Sequence, residues 1–536
     1  DSRKIAFWQT DERGVPTVRL TNYEGQHPDW MEIAYPKVGD ENPEVRIGVV
    51  DVAGGEPRWL DVGVEEEHYI PRIYWTASPD TLAVMVLNRP QTHLRVFLFD
   101  VRTGARRLVL EERSEDGWID VYDYFARALD FLHFPAESRD FFWVSDRDGH
   151  NHIYRYDYEG QLLAQVTAGP WSVVKIEGID APSQTVYYTS TEAGPLERQL
   201  YAIGFDGRGK RRITDARGVH SVDISPNGRW FIDRWSNAET PRRVELRSTD
   251  GRLLATLEDN ATTSAWLRTN AYSPIELFSF TTADGVRLDG SMVKPPDFDP
   301  ARTYPVMLSI YGGPGAQSVY DQFATNGWHQ YLAQQGYIVA SVNNRGSGGY
   351  GREFMEVVYR QLGRWEAQDF AETARHLAAL PYVDGERIAI QGTSYGGYMA
   401  VLSLLRHPDA FALGIANSPV TDWRLYDTIY TERYMGLLED NEEGYHASSA
   451  IPLVARLEDP LFLIHSAMDE NVHPQHTMQL LTALASAGKD ADLRFFPPGA
   501  HGAAFDGASY VTMTEVYTNQ LCVWLKPGCE PVNLNR

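Results

Sequence analysis

The sequence lacks a long apolar run and any excess of basic charge. No apolar stretch approaches the roughly eighteen residues that span a bilayer, so no membrane span is predicted. The chain has 49 Lys and Arg against 73 Asp and Glu, a formal net charge of -24. Because nucleic-acid and membrane-surface binders present a basic face, this balance argues against both classes.

Cysteine is scarce. Cys522 and Cys529 are the two in the sequence, with Pro527-Gly528 between them. They permit a local disulfide if the protein is exported, or two free thiols. With two cysteines and no histidine in the segment, no metal site is predicted there, and we expect neither a metal nor a cofactor.

The front of the chain has neither a start methionine nor a signal peptide. It begins DSRKIAFW, which is typical of the inside of a β-hairpin. We therefore expect that the chain is cut at its front end, so the missing targeting segment does not identify the compartment.

The first half repeats short β-type runs that end in Asp/Gly turns, such as VFLFDVRTG and HIYRYDYEG. Turn glycines recur at roughly 45 to 55 residues, the range of propeller blades. These are Gly54, Gly104, Gly160, Gly207 and Gly251. Residues 1–272 are predicted to form a partial β-propeller of about five blade-like units, which the repeat favours over a generic β-sandwich.

The second half, residues 273–536, alternates strand-type and helix-type runs. The strand-type runs are PVMLSI, YIVASV, RIAI, LFLI and LRFF. Helix-type runs include NGWHQYLAQQ, residues 365–380 and HTMQLLTALASAG. This alternation predicts a doubly wound, mostly parallel sheet covered on both faces.

The stretch GTSYG, at residues 392–396, follows the RIAI strand and precedes an apolar helix. In this context G-x-S-x-G indicates a nucleophile elbow, a turn so sharp that its neighbours must be glycine. Ser394 is then the candidate nucleophile, and the amide of Tyr395 is a candidate donor to an oxyanion.

A serine hydroxyl needs a base, and the base needs an acid. Asp469 is the first acid after the LFLI strand and is preferred to its neighbour Glu470. His501 occupies the loop after the last strand, whereas His465 and His473 are interpreted as ordinary structural residues. The order serine, aspartate, histidine is the one this kind of sheet uses.

Several motifs resemble the dipeptidyl peptidase IV branch of the prolyl oligopeptidase family. They are YGGPG, NNRGSGGYG, GTSYGGYMA, SPVTDWRLYDTIYTERYMG, HSAMDENVH and GAHG, with looser similarity through AYPKVGDENPEV. The resemblance covers essentially the whole chain. It implies an eight-bladed propeller on an α/β-hydrolase domain, usually a homodimer, that releases dipeptides from peptides with proline or alanine second.

By motif position, Ser394, Asp469 and His501 resemble the catalytic triad, and Tyr311 resembles the tyrosine that completes the oxyanion hole beside Tyr395. The residues that match the proline pocket are Tyr395, Val420, Trp423, Tyr426, Tyr430 and Val472. Aromatic faces suit a flat apolar ring, and spacings of three and four predict that Trp423, Tyr426 and Tyr430 share one helical face. Asn471 matches a residue that holds a substrate carbonyl, and Asp427 could attract a cationic N-terminus.

The resemblance is incomplete where the substrate amine should bind. In this family a Glu-Glu pair binds the amine, and by its position that pair is expected before Asp1. Residues 65–67 are three glutamates whose neighbours do not match, so they are interpreted as a solvated acidic loop. By analogy with acidic bacterial relatives, a periplasmic or secreted location is expected.

Three alternatives stay open. A related endopeptidase or acylaminoacyl peptidase would share the chemistry but not the preference for a free amine. A non-catalytic propeller scaffold would lack the nucleophile, whereas Ser394, Asp469 and His501 are all present. A lipase or esterase would normally lack the propeller and the aromatic pocket.

Overall fold

The structure is a computed structural model that describes residues 3–526 and 528–533. Its first half consists of five antiparallel sheets and a separate hairpin within that part of the chain. The first sheet and the hairpin are built from β1 (Lys4–Asp11), β2 (Thr17–Asn22), β3 (Asp29–Ala34), β4 (Glu44–Asp51) and β5 (Arg58–Leu60). Strands β1, β4 and β5 pair as the sheet, and β2 pairs with β3 as the hairpin.

Four further sheets follow in chain order, as propeller blades do. The second contains β6 (His68–Tyr69), β7 (Ile73–Trp75), β8 (Thr81–Asn88), β9 (His93–Asp100) and β10 (Arg106–Arg113). The third contains β11 (Leu132–His133), β12 (Asp140–Ser145), β13 (His152–Asp157) and β14 (Leu162–Gln165). The fourth contains β15 (Val173–Asp180), β16 (Thr185–Ser190), β17 (Gln199–Gly204) and β18 (Arg211–Arg212). The fifth contains β19 (Val219–Ile224), β20 (Trp230–Ser236), β21 (Arg243–Ser248) and β22 (Leu253–Glu258).

From Ala261 onward the chain forms one eight-stranded sheet with helices on both faces. In chain order its elements are α1 (Ala261–Thr269), β23 (Ile275–Thr281), β24 (Arg287–Val293), β25 (Tyr304–Ile310), α2 (Gly327–Gln334), β26 (Ile338–Asn343), α3 (Arg352–Glu356), α4 (Arg364–Ala378), β27 (Val383–Thr393), α5 (Tyr395–Arg406), β28 (Leu413–Asn417), α6 (Thr428–Met435), α7 (Glu442–Ser448), β29 (Leu461–Ser466), α8 (Gln475–Ser486), β30 (Asp492–Phe496) and α9 (Gly507–Leu525). Short 3₁₀ helices cover Trp423–Leu425, Leu438–Asp440 and Ile451–Arg456.

The sheet order is β23-β24-β26-β25-β27-β28-β29-β30. The first two pairings are antiparallel and all pairings from β26 to β30 are parallel, which confirms the predicted mostly parallel sheet. The parallel strands are apolar on both faces because both are covered. On β25, for example, Val306 and Leu308 join the core on one side, and Met307 joins the core on the other.

The propeller and the sheet domain share a core and several ion pairs. Val38 and Trp118, from the first half of the chain, are buried in the same apolar cluster as the central strands. Arg89 holds the carboxylate of Glu432 with two nitrogens at 2.6 and 2.7 Å. Such a bidentate pair fixes geometry as well as charge, so the propeller is bonded directly to α6.

The cysteines are joined. Cys522, near the end of α9, forms a disulfide with Cys529, and their Cα atoms are 5.5 Å apart. Of the two states that the sequence left open, the structure has the disulfide. No helix in the described residues combines the length and the apolar character needed to cross a bilayer.

Candidate active site

Ser394 lies on the sharp turn between β27 and α5. Its backbone angles are φ 62° and ψ -120°, in a region that residues other than glycine rarely adopt. Its amide donates to Asn417 O at 2.8 Å, which fastens the turn to the neighbouring strand β28.

The glycines around Ser394 are needed because backbones approach one another closely. A Cβ atom on Gly392 would lie 2.4 Å from the backbone of Gly396. On Gly396 it would lie 2.5 Å from Ile310 O, and on Gly397 it would lie 2.5 Å from Asn417 O. The helix can therefore start directly against the strands, so its first amides face the site.

Asp469 and His501 come from the loops that follow β29 and β30, and they meet. His501 Nδ1 lies 3.0 Å from both carboxylate oxygens of Asp469. Burial alone would raise the pKa of Asp469, but hydrogen bonds from His465 and His501 outweigh it and hold the pKa well below its usual range. An ionised Asp469 favours the proton on Nδ1, which leaves Nε2 of His501 free to accept another.

The serine and histidine loops are connected through β28 and the residue after it. Asn417 accepts from the Ser394 amide, and its Nδ2 donates to Gly502 O at 2.9 Å. The amide of Gly502 donates to Ser418 Oγ at 3.3 Å. In the described residues Ser394 forms main-chain hydrogen bonds and its hydroxyl forms none; hydroxyl bonds of this kind often tighten only when substrate is present.

Tyr311, directly after β25, lies near the turn that carries Ser394. Its ring centroid is 6.0 Å from that of Tyr395 and 5.8 Å from that of Phe125, which belongs to the propeller. Burial and then the nearby Tyr124 raise the pKa of Tyr311 to about 12, so its hydroxyl stays a neutral donor. A phenol donor and the first amides of α5 can together stabilise a developing oxyanion.

The aromatic residues predicted to form the pocket lie together, but they do not share one helical face. Trp423 starts a 3₁₀ turn, Tyr426 is extended and Tyr430 lies in α6. The prediction of a single helix was wrong because Asp427 starts a new one, accepting from Tyr430 N at 2.8 Å. The three rings still meet pairwise at 5.5 to 5.8 Å.

The remaining predicted pocket residues border this cluster. Val420 and Val472 are buried, and the ring of Tyr395 lies 5.4 Å from Trp423. The hydroxyl of Tyr426 donates to Asn471 Oδ1. The amide nitrogen of Asn471 therefore has no protein partner among the described residues and can donate to a ligand carbonyl.

Sequence reasoning missed several residues that contact the site. Glu366 accepts the Tyr395 hydroxyl at 2.6 Å, and burial raises the pKa of Glu366 to about 7. His465 lies 3.4 Å from Asp469 Oδ2, and Tyr35 donates to Asn471 O at 2.9 Å. No local pattern signals the contacts of Glu366 and Tyr35, because each depends on how separate segments pack, whereas His465 and Asp469 are only four residues apart. His465 is the structural core residue it was interpreted to be, since it is buried and also bonds the Thr477 hydroxyl at 2.7 Å and the Val472 carbonyl at 2.8 Å.

A cavity of about 380 Å³ lies in front of this cluster, between the propeller and the sheet domain. Tyr311 and Tyr430 line it from one side and Phe125 from the other. The carboxylates that line it are Asp120, Asp123, Asp146 and Asp427. The glutamates at 65–67 are exposed and do not line it, as their interpretation as a solvated loop requires. In the described part of the chain, no group of three or more His, Cys, Asp or Glu side chains could hold a metal ion.

A serine on a strand-to-helix turn, on a sheet of this order, defines the α/β-hydrolases. Residues 1–242 match the sequence profile of the dipeptidyl peptidase IV (DPP IV) N-terminal region, and residues 323–519 match that of the prolyl oligopeptidase family. The chain therefore belongs to the dipeptidyl peptidase IV branch of the prolyl oligopeptidase family.

Individual proteins named as dipeptidyl peptidases are similar to the chain over most of its length. The chain is 32% identical over 531 residues to a probable dipeptidyl peptidase 4 of Aspergillus fumigatus, covering 95% of the chain and 69% of that protein. It is 32% identical over 540 residues to a probable dipeptidyl-aminopeptidase B of Talaromyces marneffei, covering 95% of the chain and 59% of that protein. The crystal structure of Porphyromonas gingivalis dipeptidyl peptidase 4 matches with a TM-score of 0.91 and 36% identity, over 97% of this chain and 72% of that one. The chain thus spans 59% of the length of the Talaromyces marneffei protein and 69% of the length of the Aspergillus fumigatus protein.

Proposed function

We propose that the protein is a serine peptidase that releases N-terminal dipeptides with proline or alanine in second position. The observation that carries the proposal is the Asp469–His501 pair, bonded at 3.0 Å, on the loops beside the Ser394 turn and the aromatic pocket. The names of the relatives support the dipeptidyl part of the proposal.

In the first step, Ser394 Oγ attacks the carbonyl carbon of the substrate's second residue, while Nε2 of His501 takes the hydroxyl proton. Asp469 stabilises the imidazolium that forms. The carbonyl oxygen becomes an oxyanion and accepts from the Tyr395 amide and the Tyr311 hydroxyl. His501 then returns the proton to the leaving amine, and the C–N bond breaks to leave an acyl-enzyme.

In the second step, water replaces the amine. His501 takes a proton from the water as the water oxygen attacks the acyl carbon. The bond between the acyl carbon and Ser394 Oγ then breaks, and His501 returns the proton to Ser394 Oγ. The dipeptide leaves with a free carboxylate. Because both steps pass through an oxyanion, the same two donors serve twice.

The pocket supports proline or alanine as the residue before the cleaved bond. Tyr430 lines the cavity, and the rings of Trp423 and Tyr426 pack against it at 5.8 and 5.5 Å, so a flat, rigid ring would meet a packed aromatic surface. Val420 and Val472 are buried behind this surface as further apolar residues. A longer side chain would have to displace these packed rings, whereas alanine leaves them in place.

The experiment compares a Gly-Pro chromogenic amide with the same amide blocked at its N-terminus, using the full-length protein. We expect hydrolysis of the free-amine substrate and little of the blocked one. Equal turnover of the two would overturn the dipeptidyl proposal and favour the endopeptidase or acylaminoacyl alternative.

We also propose a homodimer. Large apolar side chains are exposed on the β2–β3 hairpin and near the end of α9, namely Trp30, Met31, Val523 and Trp524. Exposed apolar residues in such groups suit a protein interface. Light scattering of the wild-type protein should give a mass twice that of one chain. The double variant Trp30→Glu, Trp524→Glu should have the mass of a single chain. A monomeric wild-type protein would contradict the proposal.

The Cys522–Cys529 disulfide supports a periplasmic or secreted location, since disulfides persist in oxidising compartments. Thiol titration of the denatured, unreduced protein should detect no free thiol. Two thiols in protein isolated from its native cells would contradict this location.

A further inference from the structure

One segment of the propeller reaches into the site, and we call it the strap. The strap, residues 35–42, leaves the end of β3 and runs along the segment that starts α6. Its backbone pairs with that segment, since Val38 N donates to Tyr426 O at 3.2 Å and Thr428 N donates to Pro36 O at 3.0 Å. The strap is therefore attached on both sides of Asp427, in the wall of the aromatic pocket.

Side chains extend this attachment. Thr428 Oγ1 donates to Asn42 Oδ1 at 2.5 Å, and Gly39 N donates to Glu432 Oε1 at 3.0 Å. Arg89 binds the same Glu432 carboxylate from the next blade. The strap is thus held in place independently of any contact that its first residue makes.

That first residue, Tyr35, contacts the loop that carries Asp469. Its hydroxyl donates to Asn471 O at 2.9 Å, and its ring lies 4.2 Å from that of His473. Asp469 already binds the amide of Asn471 at 3.1 Å and that of Val472 at 2.9 Å. Tyr35 therefore adds a hydrogen bond from the propeller to the main chain of Asn471, which Asp469 binds from within the sheet domain.

The side chain of Asn471 is oriented by Tyr426, whose ring lies 6.4 Å from that of Tyr35. Its Oδ1 accepts from Tyr426, so its Nδ2 is the atom left to bind a substrate carbonyl. Tyr426 holds the side chain and Tyr35 holds the main chain, and both tyrosines are positioned by the strap.

We propose that Tyr35 is a positioning residue that fixes the main chain of Asn471 from the propeller, so that the side chain held by Tyr426 is placed to bind substrate. The inference rests on the proposed function and on Asn471 holding a substrate carbonyl with its Nδ2, which is unpaired within the described residues. That contact exists in the bound substrate and in the transition state alike, so losing its orientation should raise KM more than it lowers kcat.

The test is Tyr35→Phe in the full-length protein, with a Gly-Pro chromogenic amide. Phenylalanine keeps the ring against His473 and removes one hydroxyl. We expect KM to rise about three- to tenfold, the factor that one neutral hydrogen bond contributes, with kcat unchanged. Tyr74→Phe is the matched control, because this half-buried propeller tyrosine also donates at 2.9 Å, to Asp130, and neither residue lines the cavity.

A double-mutant cycle shows whether Tyr35 acts through Asn471. In an Asn471→Ala background, Tyr35→Phe should change KM by less than about twofold, the scatter expected of independent changes. The same rise in both backgrounds, or no rise in the single variant, would overturn the inference.

Labelling by a small fluorophosphonate separates this inference from the proposed function. The probe reacts with the nucleophile without needing Asn471, so Tyr35→Phe should be labelled at the wild-type rate. Failure of the unmodified protein to label would overturn the proposed function and the inference with it. A normally labelled protein with additive effects in the cycle would overturn the inference alone.

Discussion

Ser394 has a backbone conformation that its side chain alone would not choose. A positive φ at a residue other than glycine costs of order 1–3 kcal/mol, so the surroundings must impose it. They do so through the bond to Asn417 O and through the close approach of Gly396 to Ile310. The strain presents the hydroxyl at the start of α5, in front of the site.

Ser394→Ala should abolish covalent labelling by a fluorophosphonate, because the proposed nucleophile is removed. Ser486→Ala, at an exposed position on α8, should label like the wild-type protein. Labelling that persists at the active site of Ser394→Ala would show that another residue is the nucleophile.

Tyr311→Phe should lower kcat more than it raises KM, because the proposed bond forms only with the oxyanion. One such donor is worth at most about 2.7 to 4 kcal/mol, or roughly a hundred- to a thousandfold in kcat. Steady-state kinetics with a chromogenic amide measure both constants. An unchanged kcat would remove Tyr311 from the oxyanion hole.

At the scale of elements, α6 links the pocket to the propeller. Its N-terminus is capped by Asp427 and it carries Tyr430 in the first turn, while Glu432 on the same helix binds Arg89. The position of Tyr430 therefore depends on where the helix starts.

Asp427→Ala should remove the cap and lower the free energy of unfolding by about 1 kcal/mol. Asp427→Asn keeps a side-chain oxygen that can cap the helix. Its free energy of unfolding should therefore differ from the wild-type value by only roughly a few tenths of a kcal/mol. Calorimetry of both variants measures the difference. If Asn destabilises as much as Ala, the charge of Asp427 matters rather than its cap.

At the scale of the whole molecule, buried acids lie where the propeller meets the sheet domain. Glu356 packs against Gly117, where a Cβ would lie 1.8 Å from its carboxylate. Burial, and then the nearby Asp146, raise the pKa of Glu356 to about 8, although Arg352 opposes them. The pKa of Asp146 is raised by burial to about 7.

A raised carboxyl pKa stabilises the folded protein at low pH, and that stability is lost as pH rises through the folded pKa. Relative to Glu356→Gln, the wild-type protein should therefore lose stability between about pH 5 and pH 8, by up to about 1.4 kcal/mol per pH unit. Thermal unfolding across this range tests it, with the exposed Glu353→Gln on the same helix as control. A difference that does not change with pH would contradict the prediction.

Local patterns in the sequence predicted much of the fold. The run NGWHQYLAQQ became α2, and the helix predicted at 365–380 became α4 at Arg364–Ala378. The stretch from Trp423 to Tyr430 did not follow its spacing, because the side chain of Asp427 caps a new helix. Spacing predicted which rings would meet but not the backbone that carries them.

By itself the sequence determined the alternation of strands and helices, the glycines that Ser394 needs, and the loops that carry Asp469 and His501. These depend on residue type and on short-range periodicity. Tertiary structure alone decided that Tyr35 meets Asn471, 436 residues away, and that Glu366 meets Tyr395. Such contacts come from the packing of the propeller on the sheet and of α4 on α5, because no local preference of the chain encodes a partner on a different element.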